Sequence, residues 1–396
     1  MDRRQFVADC PGRLVPISTP RGKDWAFVPD ELKKPFTFDP QLWPLLVEAR
    51  TYLGTLNGIG QTLTEPKLLL RPLQNREAIT SSRIEGTYVT PEQLLLFEMN
   101  PSASGKPSDS FDDWTEVHNY GNAIQKGVEL LNELPICNRL IREMHRVLMQ
   151  GVRGKNKTPG EFRKHQVQLG HDGRFIPSPV GELDRLMADL EQYVNVPLDD
   201  LDPLVRCFVI HYQFETIHPF LDGNGRIGRA LLSLMIFTVL SHGMPWLYMS
   251  AFFDEYKDEY VDKLYRVSTK GEWSKWIEFC LRGVVQQAKD SIRRCDELNR
   301  LRKQYHERIV SPTARTHQFI ESLFTDPFVQ ISNLAKKLGV TYPTAKSDVK
   351  LLENAGILQL LNGPWQKTYY CGEVFRVAYG EDEQKHSSDR QDRPNQ

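Results

Sequence analysis

The stretch "HPFLDGNGRIGR", His218 to Arg229, interrupts two largely apolar segments, and it constrains this chain more than any other feature. Upstream, "PLVRCFVIHYQFETI" places Leu204, Cys207, Phe208 and His211 at helical spacing behind Asp202 and Pro203, a helix start. Downstream, "RIGRALLSLMIFTVLSHG" resumes as helix and stops at Gly243. The glycine-rich stretch is therefore a loop between two helices, with the second helix beginning inside it. Packing does not explain its make-up, because it offers a core only Pro219, Phe220, Leu221 and Ile227.

The loop is suited to a polyphosphate. Asn224 to Arg226 fall at a helix N-terminus, where unpaired N–H groups and the helix dipole favour an anion. Gly223 and Gly225 let the backbone approach a phosphate, and Asn224 adds a side-chain amide donor. Arg226 and Arg229, three apart, share a face and can clamp one polyphosphate. Asp222 suits Mg²⁺, which takes one or two protein carboxylates and otherwise phosphate oxygens and water. His218 precedes the cradle, and a neutral imidazole can take a proton from an attacking hydroxyl. Two other sites fail. An EF-hand alignment puts Phe220 and Leu231 at ligand positions, and no cluster completes a zinc site with His211 and His218. His211 reads as a satisfied helix histidine.

His218 to Arg229 also matches the signature of the Fic-domain family, H-x-F-x-[D/E]-G-N-G-R-x-x-R, at every defined position. Fic proteins mostly transfer AMP from ATP to a hydroxyl of a protein side chain, on a helical core. The resemblance implies His218 as base and Asp222 as Mg²⁺ ligand. It implies Gly223, Asn224 and Gly225 as an anion hole, and Arg226 and Arg229 as holders of the β- and γ-phosphates. Gly225, where kinase-like relatives have lysine, favours nucleotidyl transfer. The acceptor is a protein with a Ser, Thr or Tyr hydroxyl, or the chain itself, and a homodimer is a further expectation.

"SSRIEG", Ser81 to Gly86, matches the family's inhibitory motif, [S/T]-x-x-x-E-[G/N]. Ser81 and Glu85 are four apart, so the hydroxyl can orient the carboxylate, and Gly86 looks like a helix terminator. A carboxylate in the last turn opposes the helix dipole at a cost of about 0.3–1 kcal/mol. The resemblance names Arg229 as its compensating partner, a pairing that displaces the γ-phosphate. Two alternatives stand beside an autoinhibited transferase. In one, Glu85 positions a water that removes AMP; in the other, the core senses nucleotide for a DNA-binding regulator.

The rest of the chain frames this site. Up to Pro29 the sequence reads as irregular, and helical periodicity begins with "QLWPLLVEARTYLGTL". "TYVTPEQLLLFEM" opens as a helix with Thr90, Pro91 and Gln93 in capping positions. "NPSASGKPSDS" is a loop by composition. "QVQLGHDGRFIP" carries Asp172-Gly173 between alternating apolar residues, a hairpin signal; beside the signature it becomes a flap over the site. From Ser311, "ISNLAKKLGV" and a second helix from Tyr342 to Asn354 resemble a helix-turn-helix. "LQLLNGPWQKTYYC" adds two strands around Asn362-Gly363, a wing. Lys346, Lys350 and Lys367 are nearly balanced by Asp348, Glu353 and Glu373, leaving DNA and protein partners both open.

The expected fold is mainly α: a helical Fic core with a short β-hairpin flap and a small C-terminal winged helix-turn-helix domain. The expected parts are an N-terminal helical region with the inhibitory helix (1–100), the catalytic core (101–300), the winged helix (311–380) and a polar, disordered tail (381–396). A formal net charge of −1 gives no reason for nucleic acid as the main partner, without excluding a small DNA-reading module. The six cysteines form no CxxC pair and fit buried thiols in a reducing compartment. "MDRRQFVADCPGRLVP" lacks the apolar core of a signal peptide, and "ALLSLMIFTVL" is too short to span a bilayer. A cytoplasmic protein without a membrane anchor is the expectation.

Overall fold

The computed structural model describes residues 1–19, 22–32, 38–62, 66–99, 109–152, 158–170, 173–197, 201–239, 247–310, 312–361 and 367–380. Gly243, Asp172, Asn362-Gly363, most of the 100–110 loop and the 381–396 tail lie outside them.

The chain does not open irregularly. Strands β1 (Gly12–Thr19) and β2 (Gly22–Pro29) pair antiparallel along their whole length. Pro16, which reads as a strand breaker, sits on the half-exposed β1, an edge strand that tolerates a missing donor. Strand β2 is the buried one: Ala26, Phe27 and Val28 are sealed from solvent. The Phe27 N–H donates to Ile176 O at 2.9 Å, so this hairpin backs the segment after the expected flap.

Among the described residues eleven α-helices follow: α1 (Trp43–Thr62), α2 (Pro66–Ile84), α3 (Pro91–Met99), α4 (Asp109–Leu130), α5 (Asn138–Leu148), α6 (Leu183–Asn195), α7 (Pro203–Ile217), α8 (Asn224–Val239), α9 (Ser250–Glu255), α10 (Lys257–Lys270) and α11 (Trp273–Arg308). Helix α3 starts with the expected capping box: Thr90 N–H donates to Gln93 Oε1 at 2.9 Å, and Gln93 N–H returns to Thr90 Oγ1 at 3.2 Å. Helices α7 and α8 are apolar nearly all round and form the centre of the core, as such helices must. His211 on α7 is fully buried with both nitrogens met, by Gly228 O at 3.1 Å and Tyr260 Oη at 2.9 Å. It is the satisfied histidine the sequence suggests.

Helix α11 has 36 residues, a length of about 54 Å at 1.5 Å per residue. It leads into α12 (Ala314–Thr325), β3 (Phe328–Val329), α13 (Ile331–Leu338), α14 (Tyr342–Asn354), β4 (Gln359–Leu360) and β5 (Tyr369–Tyr370). The three strands are antiparallel in the order β3-β5-β4, and residues 372–380 are helical.

Helix α2 is held along its length. Arg71 pairs with Asp326 at 2.6 Å and with Glu98 at 2.9 Å. Arg76 reaches Asp290 of α11 at 2.7 Å. Glu77, fully buried, accepts from Tyr120 Oη at 2.8 Å and from Ser250 N–H at 3.0 Å. Burial pushes its carboxyl upward in pKa.

Candidate active site

His218 caps the C-terminus of α7 in the left-handed region, φ 54° and ψ 62°. For a side chain with a Cβ this costs about 1–3 kcal/mol, so the surroundings must hold it. Arg163 does. Its Nε donates to His218 O at 2.8 Å and its main-chain N–H to Pro219 O at 2.8 Å. Nη1 reaches His165 O at 3.2 Å and Nη2 reaches Ser178 O at 2.5 Å. Every acceptor is a neutral carbonyl, and burial lowers the guanidinium to about 10, still protonated at neutral pH.

The His218 ring is set by the same turn. Nδ1 meets Glu215 O at 3.3 Å. A carbonyl only accepts, so Nδ1 carries the proton and Nε2 keeps its lone pair. Burial lowers the imidazole to about 4, which leaves it neutral at pH 7.

Two further braces close the loop. Asn224 Oδ1 accepts from Phe220 N–H at 2.8 Å, and Nδ2 donates to Phe220 O at 2.9 Å. Oδ1 and one Nδ2 hydrogen thus brace the turn, and any donation to phosphate falls to the second Nδ2 hydrogen. On α5, His145 Nδ1 accepts from Gly160 N–H at 2.8 Å, which fixes the proton on Nε2 for donation to Asp222 O at 3.0 Å. Its ring stacks on Phe220 with centroids 3.8 Å apart.

The anion cradle lies above these braces. The first α-helical bond of α8 runs from Ile227 N–H to Gly223 O at 3.0 Å. The N–H groups of Asn224, Gly225 and Arg226 have no main-chain acceptor among the described residues. Gly223 has φ +75°, and a Cβ there would meet Leu148 at 3.1 Å. A Cβ on Gly225 would run into Glu85 Oε1 and lie 2.9 Å from Arg229 Nη1. The Glu85 carboxylate thus stands against the first turn of α8. Its unfavourable place at the end of α2 is offset by a favourable one at the other helix's N-terminus.

Glu85 Oε1 accepts from Arg229 Nη2 at 2.7 Å. Burial opposes its ionisation, but Arg229, Arg226 and His218 together hold the carboxyl below its usual range. Arg229 also donates from Nε to Ser81 Oγ and from Nη2 to Ser81 O, both at 2.9 Å. The expectation that Ser81 orients Glu85 is corrected here. Helix α2 ends at Ile84, so Glu85 swings over α8, and Arg229 enters between the two and takes both. Gly86, at φ +96°, is the terminator the sequence indicates, and Lys257 Nζ caps Ile84 O at 2.5 Å.

The arginines do not share one carboxylate. Arg226 Nη1 bonds Glu116 Oε2 at 3.1 Å, and Nη2 lies 3.5 Å from Asp222 Oδ1. Asp222 Oδ1 accepts from Gly223 N–H at 2.7 Å, and its side chain remains partly exposed. Among the described residues no group of three or more His, Cys, Asp or Glu could cage a metal. A partly exposed carboxylate fits a cation that brings its own phosphate oxygens and water, as Mg²⁺ does.

These parts border a cavity of about 390 Å³, lined in part by Leu169, Phe175, Glu215, His218, Arg229 and Tyr260. Pockets of this size admit ligands of nucleotide scale. On the flap side the described residues carry one antiparallel bridge, Leu169 to Phe175, while Asp172 of the expected turn lies outside them. Glu215 was not foreseen: Oε1 is buried without a hydrogen-bond partner, and burial raises the carboxyl to about 7 against the pull of Arg229. Arg163 and His145 were also missed, because their partners are main-chain atoms with no sequence signature.

A histidine on a strained helix end sits here beside unpaired N–H groups at a helix N-terminus, an arrangement suited to an anion. Residues 135–236 match the Fic/DOC family, and residues 43–129 match the Fic/DOC family N-terminal region. Those two segments, just under half of the chain, are similar to that family. Protein adenylyltransferase Fic of Drosophila erecta is 33% identical over 156 residues, 39% of this chain and 30% of the relative. The Drosophila grimshawi protein of that name is 33% identical over 203 residues, 50% and 40%. The chain spans less than half the length of these relatives. A Fic family protein from Desulfovibrio desulfuricans superposes with a TM-score of 0.54 at 20% identity, over 86% of this chain and 98% of that one. A Fic domain containing signaling protein from Bacteroides thetaiotaomicron gives 0.50 at 21%, over 64% and 97%. At these identities the likeness is one of fold. No described helix is long and apolar enough to cross a membrane.

Proposed function

We propose that this chain transfers AMP from ATP to a Ser, Thr or Tyr hydroxyl of a protein, itself included, and that Glu85 restrains the reaction. The observation that carries the reading is the Glu85–Arg229 pair standing over the α8 N-terminus beside His218. In the reaction the acceptor oxygen attacks the α-phosphorus, the bond from that phosphorus to the β-bridging oxygen breaks, and pyrophosphate leaves. The hydroxyl proton passes to His218 Nε2. The N–H groups of Asn224, Gly225 and Arg226 receive phosphate oxygens, Gly223 lets the backbone approach them, and Arg226 and Arg229 lie on the β- and γ-phosphates. Asp222 would hold Mg²⁺, which neutralises triphosphate charge. Glu85 competes for Arg229 and so disfavours a productive γ-phosphate. The relatives named protein adenylyltransferase support AMP as the group transferred.

A second reading, in which Glu85 positions a water that removes AMP, is favoured by Glu85 and His218 bordering one cavity. The C-terminal elements are taken as a winged helix on their order and sheet. Six free thiols support a cytoplasmic setting, and a homodimer follows from the family resemblance, with sedimentation as its check.

The test is labelled-AMP incorporation by the native chain and by His218→Ala. A general base contributes about 10²–10⁴-fold, so the variant should lose transfer by at least that range while ATP binding persists. A folded variant with substantial residual transfer would remove His218 as the base.

A further inference from the structure

Helix α14 presents two unlike faces. Ala345, Asp348, Val349 and Leu352 are buried, while Pro343, Lys346, Ser347 and Lys350 form an exposed stripe. Tyr342 at its start is 53% exposed, with no packing reason to be there. The one acid within the first nine residues of the helix is turned inward: Asp348 is 6% exposed and pairs with Arg315 at 2.7 Å.

The same sorting runs through the whole C-terminal module. Glu321 is taken by Arg302 at 2.8 Å, Asp326 by Arg71 at 2.6 Å and Glu373 by Arg308 at 2.8 Å. Three carboxylates are thus neutralised by cations of the preceding helices, and Asp348 by one of its own. Lys336, Lys346, Lys350 and Lys367 have no ion pair among the described residues. The near-balance of charge in the sequence therefore does not describe the surface. What faces solvent on α14 is lysine, serine and tyrosine, with one apolar side chain, Leu351 at 40% exposure, and Glu353 as the one exposed acid in its last turn.

We infer that this face binds duplex DNA, with α14 as the helix that enters the major groove. A groove about 12 Å wide admits one α-helix, and the second helix of a helix-turn-helix is the one placed there. Lysines four apart meet phosphates, and the Tyr342 and Ser347 hydroxyls supply donors at the helix's N-terminal end. A protein partner would be better served by an apolar patch than by uncompensated lysines at the centre of the face, since interface cores are depleted in charge. The inference rests on the winged-helix reading of the module and not on the transferase chemistry.

The experiment is fluorescence anisotropy of the full chain with a labelled random-sequence duplex of about 25 base pairs, at about 50 and 200 mM salt. Micromolar binding at low salt is expected, weakened roughly 40-fold at the higher salt if three phosphates are neutralised. Lys346→Glu with Lys350→Glu should weaken binding at least tenfold, and Glu353→Lys should tighten it severalfold. Circular dichroism checks that both variants are folded, and AMP incorporation by them should match the native chain. No binding at low salt overturns the inference, as does equal binding by the double variant or preference for single-stranded DNA. A self-association that the double variant abolishes, without any DNA binding, would assign the face to a second copy instead.

Discussion

Arg163, which holds His218, and Arg229, at the end of the same stretch, are almost equally sealed, at 1% and 2% exposure. The molecule treats their charges in opposite ways. Arg163 is surrounded by carbonyls alone, so burial drags its pKa down to about 10. For Arg229 burial acts in the same direction, but Glu85 and Glu215 reverse it and hold the guanidinium above its ordinary range. A cation held by main-chain oxygens can be released only by unfolding those chain segments. A cation held by a partly exposed carboxylate can trade that carboxylate for another anion. One region is built to stay, and the other to be exchanged.

The largest effect should come from breaking the permanent side. Arg163→Ala strands several buried carbonyls and leaves a void, so about 3–5 kcal/mol of stability should be lost, read as a lower denaturant midpoint. Arg163→Lys, with one compact head group, should recover only part of it. If the alanine variant were as stable as the native chain, the clamp would be incidental.

The exchangeable side should respond with activity. A charge-assisted bond is worth about 1.5–3 kcal/mol, so Glu85→Ala should raise AMP incorporation about 10- to 100-fold at equal ATP and Mg²⁺. Its melting temperature should rise more on adding ATP than the native chain's does. A mutant no more active than the native chain would remove the restraint; one that accumulates modified target because removal has stopped would favour the second reading.

The most gradual effect is in pH. His145 and His211 are buried with folded pKa values of about 4 and 3, below the ordinary 6.5. As pH falls below 6.5 the unfolded chain takes protons that the native one refuses, so stability declines from there towards pH 4. Each histidine should cost about 1.6 kcal/mol between pH 6.5 and pH 5. Glu85, with its pKa lowered, is a loss that begins only below the usual carboxylate range. Urea unfolding at pH 7 and pH 5 checks this, and coincident midpoints would contradict it.

How much of this was legible follows the same division. Side chains that act on other side chains or on a ligand leave patterns: the His218–Arg229 stretch, Glu85 with Arg229, the capping box at Thr90, and the bounds of α14 could all be read. Side chains that act on carbonyls leave none. Arg163 looks like one more charge in "EFRKHQ", and His145 like one more polar residue on an amphipathic helix. The N-terminal hairpin was hidden for a related reason: Pro16 is permitted by an edge position that only the paired strand reveals. Ser81 was assigned to the wrong partner because helical spacing continues only as far as Ile84.

The many anchors of α2 have a mechanical consequence. Arg71 is gripped by Asp326, and Ser81 ten residues on grips Arg229, a separation of about 15 Å along a single rod. Over that arm a tilt of roughly 4° moves the far end by about 1 Å, enough to stretch a 2.7 Å ion pair out of bonding range. The grip on Arg229 is therefore set with the leverage of a balance beam, whose other pan rests on the C-terminal module.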